Sequence, residues 1–172
     1  EWERPFFTGT NLPWLDYGKD IGISHFTGRA QGYSTKREEL DAKMRTLAGT
    51  VTRVFLFNDL RSGLDIDANG NIIGFDAQSA VDLKELLMSA EANGVSLILT
   101  LFDFTIADGT TEAVYWNGTT TVHEPLGEFP EFINNPVKRL QLRKAVLKLF
   151  ADAEMEKYTS VIGFDIFNEP EW

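Results

Sequence analysis

Val161-Ile-Gly-Phe-Asp-Ile-Phe167 leads straight into Asn168-Glu-Pro-Glu-Trp172, and its reading decides the fold. The run is rich in β-branched and aromatic side chains. It is too short for a helix and too apolar for a strand that faces water, so it predicts a buried strand. Val51-Thr-Arg-Val-Phe-Leu-Phe57 and Val95-Ser-Leu-Ile-Leu-Thr-Leu-Phe-Asp103 share this character, and a further strand is expected from Pro5 to Leu12. Helical patterns fill the intervals. Leu40, Met44, Leu47 and Ala48 form one stripe, with Thr35 and Glu38 as a capping box and Gly49 as the stop. Leu83, Leu86, Leu87 and Ala90 form the second, with Asp76 as N-cap and Gly94 as stop. The third begins at Asn135-Pro136 and runs through Leu142, Val146, Leu149, Phe150 and Ala153.

Such alternation means an α/β fold with a parallel sheet covered by helices, either a (β/α)8 TIM barrel or an open doubly wound sheet. Thr8-Gly-Thr-Asn-Leu-Pro-Trp14 lacks a G-x-G-x-x-G or Walker pattern, which favours the barrel. A closed barrel needs eight strands and about 250 residues. The 172-residue chain is therefore expected to cover about the first four βα units, with residues 1–172 the N-terminal part of a single domain.

Composition narrows the function. With 16 Lys and Arg against 26 Asp and Glu the net charge is −10, which gives nucleic acid and anionic membranes nothing to bind. There are no cysteines, so disulfides and thiolate chemistry are excluded, and two histidines are too few for a His-rich metal cage. No apolar run approaches the roughly twenty residues a transmembrane helix requires.

Active sites of either architecture lie at the carboxyl ends of the strands, which puts Asn168 and Glu169 at the rim. Strand alternation assigns Asp165, Phe167 and Glu169 to one face, where apolar neighbours are expected to raise the pKa of Glu169 and keep its carboxyl ready to donate a proton. Arg53 stands inside an apolar strand and needs an anion. Asp165 supplies one as a structural ion pair, and an active-site role is the other reading. Asp103, at the end of its run, is read as orienting Arg53, contacting substrate or capping the next loop.

The stretch FDIFNEPEW, residues 164–172, resembles the fourth-strand signature of clan A glycoside hydrolases, cellulase- and mannanase-like enzymes of family five and its neighbours. GTNLPWLDYG (9–18) is similar to their first strand and loop, VTRVFLF (51–57) to the second, and LILTLFDF (97–104) to the third. The resemblance implies a retaining O-glycosidase acting on a β-linked glucan or mannan, without a cofactor. Glu169 would be the general acid/base, Asn168 the partner of the sugar 2-hydroxyl and Arg53 the support of the nucleophile. Trp14 and Trp116 are the aromatic rings expected to stack on sugar, ahead of Tyr115 and Phe129.

Two departures accompany this. Many members carry a histidine near the end of the third strand, where this chain has Asp103-Phe104-Thr105, and the nucleophilic Glu belongs to a seventh strand that these residues do not include. The fragment alone is expected to be inactive, and the full-length enzyme to be secreted and monomeric. The rival readings are a non-catalytic carbohydrate-binding relative, a calcium module, and four βα units completed by a second copy.

The calcium reading rests on Asp65-Ile-Asp-Ala-Asn-Gly-Asn-Ile-Ile-Gly-Phe-Asp76, which has EF-hand ligand spacing but Asp in place of the closing Glu and no entering helix. Asn69-Gly70 between apolar residues is also a hairpin signal, so a β-hairpin is the preferred reading and no metal is assigned. Asn117-Gly-Thr119 is a glycosylation sequon taken as chance, and His25 and His123 are taken as loop residues.

Overall fold

The structure is a computed structural model that describes residues 8–106, 112–116, 119–125 and 129–169, with 112–116, 124, 125 and 130 described by backbone alone. In chain order its elements are β1 (Gly9–Asn11), α1 (Arg37–Thr46), β2 (Val51–Phe55), β3 (Leu64–Ile66), β4 (Ile72–Phe75), α2 (Ala77–Asn93), β5 (Ser96–Asp103), β6 (Glu112–Trp116), β7 (Thr121–Pro125), α3 (Pro130–Asn134), α4 (Pro136–Asp152) and β8 (Val161–Asn168). Strands β1, β2, β5 and β8 form one parallel sheet in that order, so each strand pairs with the next after a helical crossover. The other strands form two antiparallel hairpins, β3–β4 and β6–β7. The expected α/β class and parallel sheet are present.

Local signals place the helices well. Asp76 caps α2 by accepting from Ser79 N, and Gly94 closes it in the left-handed region at φ 64°. Asn135 caps α4 by accepting from Val137 N and Lys138 N, ahead of Pro136. The first helix departs from expectation. A 3-10 turn over Tyr33–Lys36 precedes it, no side chain caps it, and the Thr35 hydroxyl donates to Gly32 O at 2.8 Å instead of forming a capping box with Glu38. A capping box would instead have the Thr35 hydroxyl oxygen accept from the Glu38 N–H.

Leu40 and Met44 of α1, Leu83, Leu86, Leu87 and Ala90 of α2 and Leu97 and Leu99 of β5 are fully buried between helices and sheet. Strand β8 corrects the expectation of burial on both faces: Ile162, Phe164 and Ile166 stay 56%, 50% and 54% exposed. The reason is positional. Strand β8 is the edge of the sheet, and on its outer side Phe150 of α4 stacks on Phe164 with centroids 5.5 Å apart. Between them lies an apolar groove of about 450 Å³, lined by Leu101, Phe132, Leu142, Val146, Phe164 and Ile166 among others.

The segment from Phe104 to Asn134 contains the β6–β7 hairpin and α3. His123 accordingly lies in a strand, paired with Val114. Phe129 is buried and stacks on Phe132 at 4.5 Å, so it packs inward and does not face a rim. At the amino end β1 is limited to Gly9–Asn11, and residues 1–7 lie outside the described residues. The β3–β4 hairpin is the one that Asn69-Gly70 predicts. Its Asp67 carboxylate is taken up by Asn69 N and Asn71 N, both at 2.8 Å, and by the Asn71 amide. No group of three or more potential metal ligands occurs among the described residues.

One buried carboxylate ties the loop after β1 to α2. Asp82 accepts from Gly22 N and Ser34 N, each at 2.9 Å, and from the Ser34 hydroxyl and Gln78 amide. Gly22 has φ 84°, and a Cβ there would sit 2.4 Å from Ser79 Oγ of α2 and 2.4 Å from Gly63 Cα, so the loop can approach α2 only through glycine. Asp82→Ala strands the buried Gly22 N–H and the half-buried Ser34 N–H and is expected to lower stability of the full-length protein by about 3 kcal/mol. Urea unfolding checks this, and a loss below about 1 kcal/mol would contradict the anchoring role.

Candidate active site

Parallel pairing aligns the carboxyl ends of β2, β5 and β8, and polar side chains from all three meet there. Register sets Thr100 opposite Asp165 and Asp103 opposite Asn168. From β2, Arg53 donates through Nε to Asp165 Oδ2 at 3.2 Å, through Nη2 to the same oxygen at shorter range, and through Nη1 to Asn168 Oδ1 at 3.1 Å. Thr100 Oγ1 adds a further bond to Asp165 Oδ2 at 3.2 Å. The Arg53–Asp165 ion pair read as one alternative is therefore present, and it coexists with a contact to the residue next to Glu169. Three of the five guanidinium N–H donors are used in these bonds.

Asp103 does not orient Arg53. Its buried carboxylate accepts from Asn168 Nδ2 at 3.2 Å, from Tyr17 Oη at 3.2 Å and from Phe104 N at 2.8 Å. Tyr17 was not singled out in the sequence, because its partner lies 86 residues away and nothing near it announces the pairing. Burial holds the Tyr17 phenol well above its ordinary pKa, with the nearby Asp59 and Asp103 charges adding to the effect, so the hydroxyl stays protonated and donates. Its ring sits edge-on to Trp14 at 4.9 Å and beneath the Arg61 guanidinium at 4.7 Å. Trp14 also meets Phe55 at 5.8 Å, and Phe55 lies 4.7 Å from the Arg53 guanidinium. Of the aromatic rings read as sugar platforms, Trp14 thus belongs to the cluster. Trp116 ends β6, and its side chain, like Tyr115's, lies outside the described residues.

Glu169 corrects a geometric expectation. Strand β8 ends at Asn168, and Glu169 has left the strand at φ 51°, so it does not continue the face of Asp165 and Phe167. Its side chain is exposed, and the apolar surroundings expected for it are not supplied by the described residues. A strand conformation at Glu169 would keep the alternation, whereas its left-handed backbone redirects the chain. Pro170, Glu171 and Trp172 lie outside the described residues, as do Asn117 and Gly118 of the sequon.

The loop bearing Trp14 and Tyr17 is shaped by another acid. Asp20 accepts from Leu15 N at 2.6 Å and Asp16 N at 3.0 Å, with Lys36 Nζ 3.8 Å away. Burial nevertheless pushes Asp20 up to about 6 against these opposing pulls. The folded state therefore binds a proton more tightly than the unfolded chain, whose ordinary value is 3.8. Between these values stability gains as pH falls, and above pH 6 the charged form costs on the order of 3 kcal/mol. Comparing the full-length protein with Asp20→Asn, the native carboxyl is expected to gain stability relative to the amide as pH drops from 7 to 5. A pH-independent difference in urea midpoints would contradict this.

The fold and the site together define a parallel α/β protein with a carboxylate- and amide-lined site at the carboxyl ends of its strands. Known proteins narrow that class. The chain is 25% identical over 166 residues to mannan endo-1,4-β-mannosidase of Mytilus edulis, covering 96% of this chain and 40% of that protein. It is 22% identical over 172 residues to the enzyme of the same name from Cryptopygus antarcticus, covering 98% and 39%. Among solved structures, β-mannanase from Mytilus edulis superposes with TM-score 0.67 at 23% identity, covering 96% of this chain and 41% of that one. β-1,4-Mannanase from Aplysia kurodai gives 0.68 at 22%, covering 98% and 43%. No family model matches. The chain is thus similar to mannanases, among the cellulase- and mannanase-like glycoside hydrolases that FDIFNEPEW resembles, and it spans about two fifths of the length of the curated relatives it matches.

Proposed function

We propose that the chain is the N-terminal part of the catalytic domain of a retaining β-glycan hydrolase, comprising about four βα units of a (β/α)8 barrel, with β-1,4-mannan as its substrate. The relatives' activity supports the choice of mannan over glucan. The observation that carries the reading is the cluster of Arg53, Asp165, Asn168 and Asp103 at the carboxyl ends of three parallel strands, with Asn168 directly before Glu169. In this reading Glu169 protonates the glycosidic oxygen while a carboxylate from the rest of the enzyme attacks the anomeric carbon. The glycosyl–enzyme ester is then hydrolysed by water, whose proton Glu169 takes up. Asn168 and Arg53 hold the sugar 2-hydroxyl and the nucleophile, and Trp14 and Trp116 stack on sugar rings.

The apolar outer face of β8 fits this reading, since a following βα unit would cover it. The full-length enzyme is proposed as a monomer. It would act outside the cell, because a polymeric substrate does not cross a membrane. The test is expression of the complete coding sequence with β-mannan and β-glucan as substrates and proton NMR of the first-formed anomer. Mannan cleavage with retention is expected. Inversion, or no cleavage of either polymer, would overturn the assignment, and the 172-residue chain alone should show no turnover.

A further inference from the structure

The hydrogen bonds around Asn168 fix the direction of its amide. A guanidinium only donates and a carboxylate only accepts, so the side chain facing Arg53 with one atom and Asp103 with the other has a single satisfied orientation: Oδ1 towards Arg53, Nδ2 towards Asp103. One N–H of Nδ2 is spent on Asp103, and among the described residues no bond is made by the other. Asp103 is itself held in place. Tyr17 Oη donates to its second oxygen, Phe104 N donates to its first, and the Thr105 hydroxyl lies 3.2 Å from Tyr17 Oη, able to donate to it in turn. The Tyr17 ring has little freedom, being fixed by the Trp14 edge and the Arg61 guanidinium. Asp103 is 6% exposed, and the three groups that donate to it here are all neutral. Burying a carboxylate in this way is costly, and a purely structural cap would need only the Phe104 N bond.

We propose that Asp103 and Tyr17 are positioning residues, a relay that orients the Asn168 amide so that it presents one N–H, as a donor, to a sugar hydroxyl. This rests on the glycoside hydrolase reading and departs from a direct sugar contact by Asp103. Its chemistry predicts recognition of a hydroxyl oxygen as acceptor. Arg53 and Asp103 together prevent the amide from flipping to offer a carbonyl instead. Tyr17 acts one bond further out, and its loss is expected to matter less than that of Asp103.

The test is a set of double-mutant cycles in the full-length enzyme. Asp103→Asn is expected to lower kcat/KM about tenfold and Tyr17→Phe about threefold. In an Asn168→Ala background either change should cost less than twofold, because the group being oriented is gone. Equal losses in both backgrounds would show that Asp103 acts on substrate directly and would overturn the proposal, as would lowered thermal stability with unchanged kcat/KM. A second readout needs no activity. In asparagine-labelled protein the Asn168 amide proton bonded to Asp103 should exchange about tenfold faster in Asp103→Asn, and an unchanged rate would also count against the relay. An inactive parent with this exchange effect would sink the hydrolase reading alone. An active parent with additive losses and unchanged exchange would sink the relay alone.

Discussion

Replacing Glu169 by Gln in the full-length enzyme is expected to lower kcat on β-mannan by about 10²- to 10⁴-fold, the range a positioned proton donor contributes. Gln keeps the shape and polarity of the side chain but has no proton to give to the departing oxygen. The loss should depend on the leaving group. An aryl mannoside with a strongly acidic phenol needs no protonation to depart, so formation of the glycosyl–enzyme should stay near the native rate. Its hydrolysis, which needs a base, should become rate-limiting. Stopped-flow kinetics would then show a burst of phenolate that native enzyme lacks. Equal activity of variant and native enzyme on polymer would remove Glu169 from the mechanism. The exposure of Glu169 and its left-handed backbone leave the carboxyl open to approach by substrate and by whatever follows in the chain.

The second large effect is expected at Arg53. Arg53→Ala breaks the ion pair with Asp165 and the bond to Asn168, leaving the Asp165 carboxylate with Thr100 as its remaining partner among the bonds described. Charge-assisted hydrogen bonds are worth about 1.5–3 kcal/mol each, so kcat/KM should fall roughly 10²-fold. Arg53→Lys restores the charge but cannot bridge Asp165 and Asn168 with a planar fork, and it should recover less than a tenth of the native value. Steady-state kinetics alongside thermal melting check both. An Arg53→Ala enzyme within threefold of native would show the pair to be scaffolding only.

Much of this architecture is written locally in the chain. Asp76, Gly94 and Asn135-Pro136 each mark a helix end within a few residues of where it falls, because capping is satisfied by groups nearby in sequence. Asn69-Gly70 marks a hairpin for the same reason, and Asn117-Gly118, lying between β6 and β7 in sequence, is the same dipeptide. The start of α1 differs from expectation because Thr35 lies inside a 3-10 turn, where its hydroxyl donates to Gly32 O and does not serve as the acceptor a capping box requires. At the site, the position of Asn168 and Glu169 at the end of a strand follows from the apolar run before them, and the Arg53–Asp165 pair from the need of a cation within an apolar strand for an anion. Tyr17 was not legible, since its partnership depends on how the first loop folds back over the end of β5. The exposure of β8 was equally hidden. An apolar run reports that a strand wants cover, not whether a neighbour is there to provide it.

The open edge of β8 also bears on how copies of the chain meet. Among the described residues it offers a row of backbone donors and acceptors beside a greasy strip formed by Ile162, Phe164 and Ile166, a template on which the same strip of a second copy can zip up. Concentrated solutions of the 172-residue chain are therefore expected to self-associate through this edge. The surplus of ten negative charges opposes it by mutual repulsion, and that protection weakens as salt rises.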